Sequence, residues 1–421
     1  MNARHAAYLA LNAVLKEGAY TSLALKKHIP ASFSAEDRHF TSLLLRTTLE
    51  NLMRIDYALQ GFITSPRVHR SIRNILRLGA CQLLFMDTQG YAAVSESVAL
   101  AKRVKPQTSG FVNAVLRAME KGKNGIVFPE ITNAKSLSVM ASYPEWICDK
   151  YIKDFGWDFA KDLLLYKAPE FVSVRMNTLK TDQQTFESAL GALGVEWRES
   201  SIPNAYAVSG FHNIENVELF INGSMAVQSQ SAMSAVLAAG IKKGDRLLDC
   251  CTAPGGKSAY AAALTQNGID ITAWDVHEHR VDMTRKNFER LGVRNAKIAV
   301  CDARQHLPQY DGRFDMVLID APCSAMGLMA HQPDIRYSRK PEDILSLTDV
   351  QKDILSVCAR YVKKGGTLVY MTCSINREEN ETVTDAFLSR ADGFAYRQPP
   401  QTLYPHLCGS DGFYTAVMER Q

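Results

Sequence analysis

Two segments of the chain each end an apolar run with a thiol. The first, residues 314–324, reads Phe-Asp-Met-Val-Leu-Ile-Asp-Ala-Pro-Cys-Ser, so that Asp320 and Cys323 follow a predicted strand. The second, residues 367–374, is another apolar strand, and it is followed by Cys373. Open α/β sheets bind ligands just outside the carboxyl ends of their strands. We therefore predict that the carboxylate and the two thiols meet in one cleft.

These residue types suit the methylation of carbon. Amine methyltransferases place an aromatic residue after an Asn/Asp-Pro-Pro motif, whereas Asp320-Ala-Pro-Cys323 has a thiol there. Carbon 5 of cytosine is a poor nucleophile until a thiolate adds at carbon 6 and creates an enamine that accepts a methyl group. The reaction also needs a hydrogen bond at N3 and a base that removes the C5 proton. A single cysteine at a strand end is usually a small core residue, but two beside an aspartate indicate chemistry.

A glycine turn at residues 247–258, Leu-Leu-Asp-Cys-Cys-Thr-Ala-Pro-Gly-Gly-Lys-Ser, follows another predicted strand and begins a helix. Its glycines admit a ligand close to the backbone, and the helix start offers N–H groups to a carboxylate or phosphate. A Walker loop needs glycine where Cys251 stands, and the dinucleotide fingerprint is absent, so S-adenosylmethionine fits better than ATP or a dinucleotide. Asp275, after the next strand, suits the ribose hydroxyls. Asp302, after the following strand, suits the adenine amine.

The order of elements predicts several domains. From Asp245 onward strands and helices alternate, which is typical of an α/β Rossmann-like fold with a doubly wound parallel sheet. Residues 1–120 carry apolar residues at helical spacing, which predicts an all-α bundle. The segment 412–418 is predicted as a last strand that pairs antiparallel at a sheet edge. We predict a helical RNA-binding domain, a helical and α+β connector and a methyltransferase domain at residues 1–125, 126–224 and 225–421.

Composition and charge favour a cytoplasmic protein with a polyanionic partner. The nine cysteines, an odd number, predict reduced thiols, and no apolar run has the roughly 18 residues of a membrane span. No His or Cys cluster has zinc spacing, so no metal is expected, and nothing requires more than a monomer. Residues 1–125 carry 17 Lys and Arg against 8 Asp and Glu, within a chain of net charge +4. This basic character indicates either an RNA-binding surface or a solvated one, and the same alternatives apply to Arg67, Arg70, Arg73 and Arg77.

Three motifs resemble the signature of the NOL1/NOP2/Sun family of RNA cytosine-5 methyltransferases: Ala-Pro-Gly-Gly-Lys at 253–257, Asp-Ala-Pro-Cys-Ser at 320–324 and Thr-Cys-Ser at 372–374. The segments 76–84 and 110–117 are similar to the NusB-like RNA-binding domain. This pairing is characteristic of the bacterial Fmu/Sun type, and the resemblance implies methyl transfer from S-adenosylmethionine to cytosine C5 in 16S ribosomal RNA. Transfer RNA or another ribosomal site as substrate, or a mainly non-catalytic NusB-like RNA-binding factor, remain the alternatives.

The resemblance also implies a role for each matching residue. Cys373 is expected to be the nucleophile, and Cys323 the second thiol, which releases the methylated RNA. Asp320 is expected to bind N3 of the base near the methyl donor, and Lys257 to support the cofactor turn. The implied cofactor-binding residues are Cys251, Thr252, Ala253, Pro254, Gly255, Gly256, Lys257, Asp275, Arg280, Asp302 and Asp320.

Two further segments extend the match, and a third departs from it. Arg336 within Gln-Pro-Asp-Ile-Arg-Tyr, and Glu-Glu-Asn at 378–380 shortly after Cys373, follow the family pattern. Residues 327–332, Gly-Leu-Met-Ala-His-Gln, lack the arginine pair usual in the family. Phosphate contacts are therefore expected to be weaker there, or to come from Arg336 and Arg339.

Overall fold

The chain forms two compact units. The computed structural model describes residues 1–65, 67–211, 214–391 and 393–421. The helical unit consists of Met1–Tyr166 and His331–Arg339, and the sheet unit consists of Lys167–Ala330 and Lys340–Gln421. Within the described ranges, no helix has the length and apolar character that crossing a membrane requires.

The connector predicted at residues 126–224 is divided between these units at Tyr166. Its first part belongs to the helical unit because it packs on helices that precede residue 125. The backbone N–H groups of Met53 and Arg54 both donate to Oγ of Ser142, at 3.2 and 3.3 Å. The boundary of the helical unit therefore lies about forty residues beyond the predicted one.

The helical unit confirms the predicted all-α bundle. Its core includes Leu11, Leu44, Leu76 and Leu116, each fully buried on a different helix. In the part of its first segment that the structure describes, the α-helices are, in chain order, α1 (Ala3–Glu17), α2 (Thr21–His28), α3 (Ala35–Glu50), α4 (Leu52–Gln60), α5 (Arg70–Phe85), α6 (Gly90–Val104), α7 (Ser109–Gly122), α8 (Ala134–Ala141), α9 (Glu145–Phe155) and α10 (Trp157–Leu165).

The rest of the chain contains both strands and helices, which mostly alternate from Asp245 onward, as predicted. Its elements are β1 (Val172–Met176), α11 (Gln183–Ala192), β2 (Glu196–Glu199), β3 (Ala205–Ser209), α12 (Glu218–Ile221), β4 (Met225–Val227), α13 (Gln230–Ala239), β5 (Arg246–Asp249), α14 (Gly256–Leu264), β6 (Asp270–Asp275), α15 (Glu278–Leu291), β7 (Ala296–Val300), β8 (Phe314–Asp320), α16 (Ile335–Ser338), α17 (Pro341–Cys358), β9 (Val362–Thr372), α18 (Glu381–Leu388), β10 (Phe394–Tyr396), β11 (Gln401–Leu403), α19 (Pro405–Cys408) and β12 (Phe413–Arg420). Of these, only α16 belongs to the helical unit.

The sheet unit contains two sheets. The smaller one is antiparallel, in the order β2-β3-β1-β4. The larger one has the order β10-β12-β9-β8-β5-β6-β7, with β11 also pairing with β12. The five strands from β9 to β7 in that order are parallel, and β12 is antiparallel to β9. The prediction that this last strand lies at the sheet edge is wrong, because β10 pairs with its outer side.

Three adjacent parallel strands bring the predicted site together. β8 lies between β5 and β9, with Val317 opposite Leu248 on one side and Leu368 on the other. These three side chains are fully buried, as expected for strands covered on both faces. Because the strands are parallel, the glycine turn after β5 and the thiols after β8 and β9 share one edge of the sheet.

Candidate active site

The two thiols lie side by side beyond β8 and β9. Sγ of Cys323 is 3.2 Å from Sγ of Cys373, which is within hydrogen-bond distance for two sulfurs. The backbone N–H of Ala321 donates to the carbonyl of Met371 (2.9 Å), and that of Gly327 donates to the carbonyl of Cys373 (3.0 Å). These bonds continue the pairing of the strands into the loops. The structure thus brings the two predicted thiols together.

The thiol of Cys323 is held in its protonated form. The hydrogen bond with Cys373, followed by burial, raises the pKa of the Cys323 thiol well above its ordinary value. A thiol with a raised pKa keeps its proton at neutral pH. Either sulfur can be the donor in the contact between them, and both residues are only half-buried.

Asp320 and Lys257 connect the thiol loops to the glycine turn. Nζ of Lys257 lies 2.5 Å from Oδ2 of Asp320. Burial alone would lower the pKa of Lys257, but the charge of Asp320 and the hydrogen bond to it outweigh burial and raise that pKa. The lysine therefore stays protonated, and its ammonium group also lies 5.5 Å from the ring centre of Phe413. This pair ties the start of α14 to the end of β8.

Residues 250–255 form the turn between β5 and α14, beside a carboxylate that the sequence interpretation did not assign. Asp249 is 2% exposed and accepts a hydrogen bond from Oγ of Ser258 at 2.6 Å. Its other oxygen, Oδ1, and Oγ1 of Thr252 have no hydrogen-bond partner. Burial, the main cause, raises the pKa of Asp249 to about 6. The signal in the sequence was an acid at the end of a strand, immediately before the glycine turn.

The turn itself fits the amino-acid part of S-adenosylmethionine. Gly255 has φ +89°, and a Cβ there would lie 2.5 Å from the ring of Phe288, so only glycine fits. At Gly256, the first residue of α14, a Cβ would meet only the side chain of Gln228, at 3.9 Å. A helix start at which a Cβ would make only ordinary contact offers its backbone N–H groups to a carboxylate. The unpartnered buried oxygen of Asp249 suits an ammonium group.

The two predicted ribose and adenine acids have different surroundings. Asp275 is 3% exposed and lies 3.4 Å from Nε of Arg280. Arg280 also donates to the carbonyl of Ala253 at 3.2 Å, which joins this acid to the glycine turn. Asp302 instead accepts two close hydrogen bonds from the Arg304 side chain, at 3.0 and 2.7 Å. Sequence reasoning missed this ion pair, although the two residues are only two positions apart.

A buried carboxylate behind the thiols was also missed. Glu379 is completely buried, and it accepts hydrogen bonds from Ser324 and Ser374, the residues that follow the two thiols. The signal was the acidic pair at 378–379, which the sequence interpretation counted only as part of a family motif. Within the described ranges, no three His, Cys, Asp or Glu side chains are grouped as a metal site would require.

The expected phosphate contact from Arg336 is wrong. This residue lies in the helical unit, is 5% exposed, and stacks its guanidinium 4.0 Å from the ring centre of Tyr143. The hydroxyl of the neighbouring Tyr337 donates to the carbonyls of Leu49 (2.7 Å) and Ser142 (2.9 Å). The segment is therefore part of the packing of the helical unit.

The arginines of the predicted basic face differ in their availability. Arg77 donates to both oxygens of Asp56, at 2.9 and 2.5 Å, and a nitrogen of Arg73 lies 4.0 Å from the same carboxylate. Arg67 and Arg70 are exposed. Part of the charge is thus neutralised within the helical unit, and part remains at its surface.

Two family models match separate parts of the chain. Residues 236–419 match the family described as 16S rRNA methyltransferase RsmB/F. Residues 1–121 match the NusB family. The first match contains the glycine turn and both thiols, and the second contains most of the helical unit.

Curated relatives match the chain along its whole length. The probable ribosomal RNA small subunit methyltransferase B of Bacillus subtilis (strain 168) is 31% identical over 440 aligned residues, which cover 98% of each protein. The ribosomal RNA small subunit methyltransferase B of Vibrio cholerae is 31% identical, over 100% of this chain and 98% of the relative.

Solved structures show the same fold. The structure titled "Crystal Structure of PH0851" has a TM-score of 0.83 and 25% identity, and the match covers 100% of this chain and 99% of that one. NSun6 from Pyrococcus horikoshii with SFG has a TM-score of 0.62 and 20% identity, over 67% of this chain and 99% of that one.

Proposed function

Because the chain belongs to the 16S rRNA methyltransferase RsmB/F family, whose methyl donor is S-adenosylmethionine, we propose that it methylates carbon 5 of a cytidine in 16S ribosomal RNA. The observation that carries this proposal is the 3.2 Å distance between the sulfurs of Cys323 and Cys373. Methylation of a pyrimidine carbon needs a nucleophile, a proton acceptor and a hydrogen-bond donor around one base. The paired thiols and the Lys257–Asp320 pair provide these three groups.

Methyl transfer begins with the sulfur of Cys373. The thiol gives up its proton to solvent, and the electron pair of the resulting thiolate forms a bond to C6 of the cytosine, so that the C5–C6 π electrons become available at C5. Asp320 holds N3 through a proton taken up from solvent and shared between the two, and the ammonium charge of Lys257 beside them stabilises the negative charge that develops on the ring. S-adenosylmethionine supplies the electrophilic methyl group that C5 takes up.

Release of the product requires the second thiol. The hydrogen bond with Cys373 is the first cause of the raised pKa of Cys323, and that bond is lost once the sulfur of Cys373 is bonded to carbon. Cys323 then loses its proton to solvent more readily, and its thiolate acts as the base that takes the C5 proton. The electrons of the C5–H bond restore the C5–C6 double bond, and the bond between sulfur and C6 breaks with its electrons returning to Cys373.

Ribosomal RNA is the proposed partner of the helical unit. The match to the NusB family and the exposed Arg67 and Arg70 support contact with a phosphate backbone. The target base must be single-stranded or flipped out of a helix to meet the sulfurs. The free state of the nine cysteines supports action in the reducing cytoplasm, and we propose a monomer.

The roles of the two thiols are tested by trapping the covalent intermediate. Cys323→Ala is incubated with a 16S RNA fragment and methyl donor, and the products are separated on a denaturing gel. We expect this variant to retain RNA covalently, because the bond to Cys373 forms but does not break. Cys373→Ala should show neither adduct nor turnover. An RNA adduct with Cys373→Ala but not with Cys323→Ala would mean that the two cysteines have the opposite roles. Full turnover by Cys373→Ala would exclude the covalent mechanism.

The substrate is tested by bisulfite sequencing of RNA from a strain that lacks the gene. We expect one 16S cytidine to lose its methylation and to regain it when the gene is returned. Loss of a transfer RNA or another ribosomal site would instead identify that RNA as the substrate. If no site is lost and the protein does not bind S-adenosylmethionine, an RNA-binding factor without catalytic activity becomes the better description.

A further inference from the structure

Glu379 carries an unusual set of hydrogen bonds for a buried acid. Its side chain is 0% exposed, and its two oxygens accept five hydrogen bonds. Oε1 accepts from the backbone N–H of Ser324 (2.7 Å) and from Nε2 of Gln351 (3.2 Å). Oε2 accepts from Oγ of Ser324 (2.5 Å), Oγ of Ser374 (2.5 Å) and Nδ2 of Asn376 (2.9 Å).

These five donors are neutral groups. A buried carboxylate without a cation is costly unless hydrogen bonds replace its lost hydration. The negative charge of Glu379 is therefore stabilised only while the donors converge on it. In turn, the charge-assisted bonds hold the donors more strongly than a neutral acceptor would.

The donors come from the two loops that carry the thiols. Ser324 directly follows Cys323, and Ser374 directly follows Cys373. The two loops are separated by about fifty residues in sequence, and Glu379 bonds to both of them. Gln351 adds a further link, because its Nε2 also donates to the carbonyl of Pro322, just before Cys323, at 2.9 Å.

The carboxylate is itself held in place. The hydroxyl of Tyr370, on β9, donates to the backbone carbonyl of Glu379 at 2.6 Å. Tyr370 is fully buried in the core of the sheet unit. The acceptor that joins the thiol loops is thus fixed to the same strand that ends before Cys373.

We propose that Glu379 is a positioning residue, which sets the separation of the two thiols by holding the loop of Cys323 and the loop of Cys373 on one buried carboxylate. Glu379 contacts neither sulfur and takes no proton in the reaction. The need for a fixed distance between the thiols rests on the proposed function. In that reaction the nucleophile and the proton acceptor must flank one carbon–carbon bond of the same cytosine. A displacement of about 1 Å in such an arrangement costs on the order of 100-fold in rate.

The decisive variant is Glu379→Gln, which keeps the size of the side chain and removes its charge. One oxygen becomes an amide nitrogen, so it cannot accept from the two serine hydroxyls. We expect kcat for methyl transfer to fall about 10- to 100-fold, while KM for S-adenosylmethionine changes less than about twofold. A matched control is Glu419→Gln, which removes an exposed carboxylate of β12 and should leave both constants unchanged.

A second measurement does not depend on the reaction. Phenylarsine oxide bridges two thiols that lie close together, so wild-type protein should take it up in a form that resists washing with a monothiol. Cys373→Ala gives the background from the other cysteines. Glu379→Gln should lose most of the difference between wild type and that background.

The two measurements separate the positioning role from the proposed function. A folded Glu379→Gln with wild-type kcat and wild-type arsenical uptake overturns the positioning role and leaves the proposed function intact. If wild type transfers no methyl group to RNA but Glu379→Gln still loses arsenical uptake, the proposed function fails and the positioning role stands. Should Glu379→Gln not fold, the double variant Ser324→Ala/Ser374→Ala replaces it, and the same outcomes apply.

Discussion

Two carboxylates buried in the sheet unit have opposite surroundings. Glu379, behind the thiols, accepts five hydrogen bonds. Asp249, beside the glycine turn, accepts one from Ser258, and its other oxygen has no partner. Burial accordingly raises the pKa of Asp249 to about 6. Both residues are at least 98% buried, so the difference lies in their hydrogen bonds and not in their depth.

This difference separates a preformed part of the site from an incomplete one. The thiol loops are fixed by protein groups alone, because every oxygen of Glu379 is satisfied. Beside the glycine turn, one oxygen of Asp249 has no partner. This lowers the stability of the protein without ligand, but it favours the binding of a ligand that carries a cationic group. Functional sites often retain such a cost because it is recovered on binding.

The largest expected effect comes from removing Lys257, which links the glycine turn to the loop of Cys323. In Lys257→Met, the ammonium group 2.5 Å from Asp320 is lost, and Asp320 keeps a charge without its partner. We expect kcat for methyl transfer to fall on the order of 1,000-fold, because the positive charge that stabilises the developing negative charge on the ring is lost. Single-turnover methyl transfer measures this effect. Lys242→Met, at an exposed position, is the control, and equal rates for the two variants would contradict the proposed role of Lys257.

A stability effect is expected at Asp249. Its pKa rises from 3.8 to about 6 in the folded protein, which corresponds to roughly 3 kcal/mol. As the pH rises, the unfolded chain loses this proton before the folded protein does. The free energy of unfolding therefore decreases between about pH 4 and about pH 6, and the protein stays less stable above that range. Asp249→Asn should therefore be up to about 3 kcal/mol more stable than wild type at pH 7.5, and only about 1 kcal/mol more stable at pH 4.5.

Urea denaturation at both pH values measures this gain, and Asp270→Asn, at an exposed position, is the control. Binding of S-adenosylmethionine to Asp249→Asn should be weaker, because a neutral amide attracts an ammonium group less strongly than a carboxylate does. A variant that is less stable than wild type at pH 7.5 would show that the charge of Asp249 is well satisfied without ligand.

Replacing a serine that donates to each carboxylate by alanine should lower the stability of the protein by different amounts. Ser258→Ala removes the hydrogen bond to Asp249 and should cost about 2 kcal/mol of folding free energy, since bonds to charged groups are worth more than neutral ones. Ser374→Ala leaves four donors on Glu379 and should cost about 1 kcal/mol. Chemical denaturation of both variants at pH 7.5 provides the values. Equal losses of stability would contradict the distinction between Glu379, whose hydrogen bonds are all made, and Asp249, whose hydrogen bonds are not.

The smallest effect is expected at the exposed end of the cofactor site. Arg304→Ala breaks the ion pair with Asp302, in which the arginine side chain is 48% exposed. Exposed pairs contribute little to stability, so the folding free energy should hardly change. The freed carboxylate should bind S-adenosylmethionine at most about threefold more tightly, as measured by calorimetry. Weaker binding would mean that Arg304 itself contributes to the site.

The sequence predicted the structure correctly where a local pattern of residues determines it. The apolar runs before Cys323 and Cys373 predicted neighbouring buried strands, and the rule that parallel strands share a functional edge placed both thiols together. The edge position of β12 was predicted wrongly because its outer neighbour, β10, has only three residues and gives no periodic signal. Short strands of that kind are defined by their partners and not by their own composition.

Long-range partners explain the remaining misses. A glutamate is usually exposed, and the burial of Glu379 depends on Ser324, which lies 55 residues away. Arg336 suggested a phosphate contact because it is cationic, yet Tyr143 and Ser142, nearly two hundred residues earlier, surround it. A window of sequence around Arg336 does not contain Tyr143 or Ser142. A window around Glu379 contains the nearby donors Ser374 and Asn376 but neither Ser324 nor Gln351.

The segment His331–Arg339 belongs to the helical unit although the sheet unit supplies the chain on both sides of it. On the ribosome, the first 166 residues are synthesised long before Tyr337 can donate its hydroxyl to the carbonyls of Leu49 and Ser142. The amino-terminal helices therefore complete their packing only when most of the protein has emerged. A fragment that stops at Tyr166 lacks this last piece, and nascent chains of intermediate length carry an unfinished bundle.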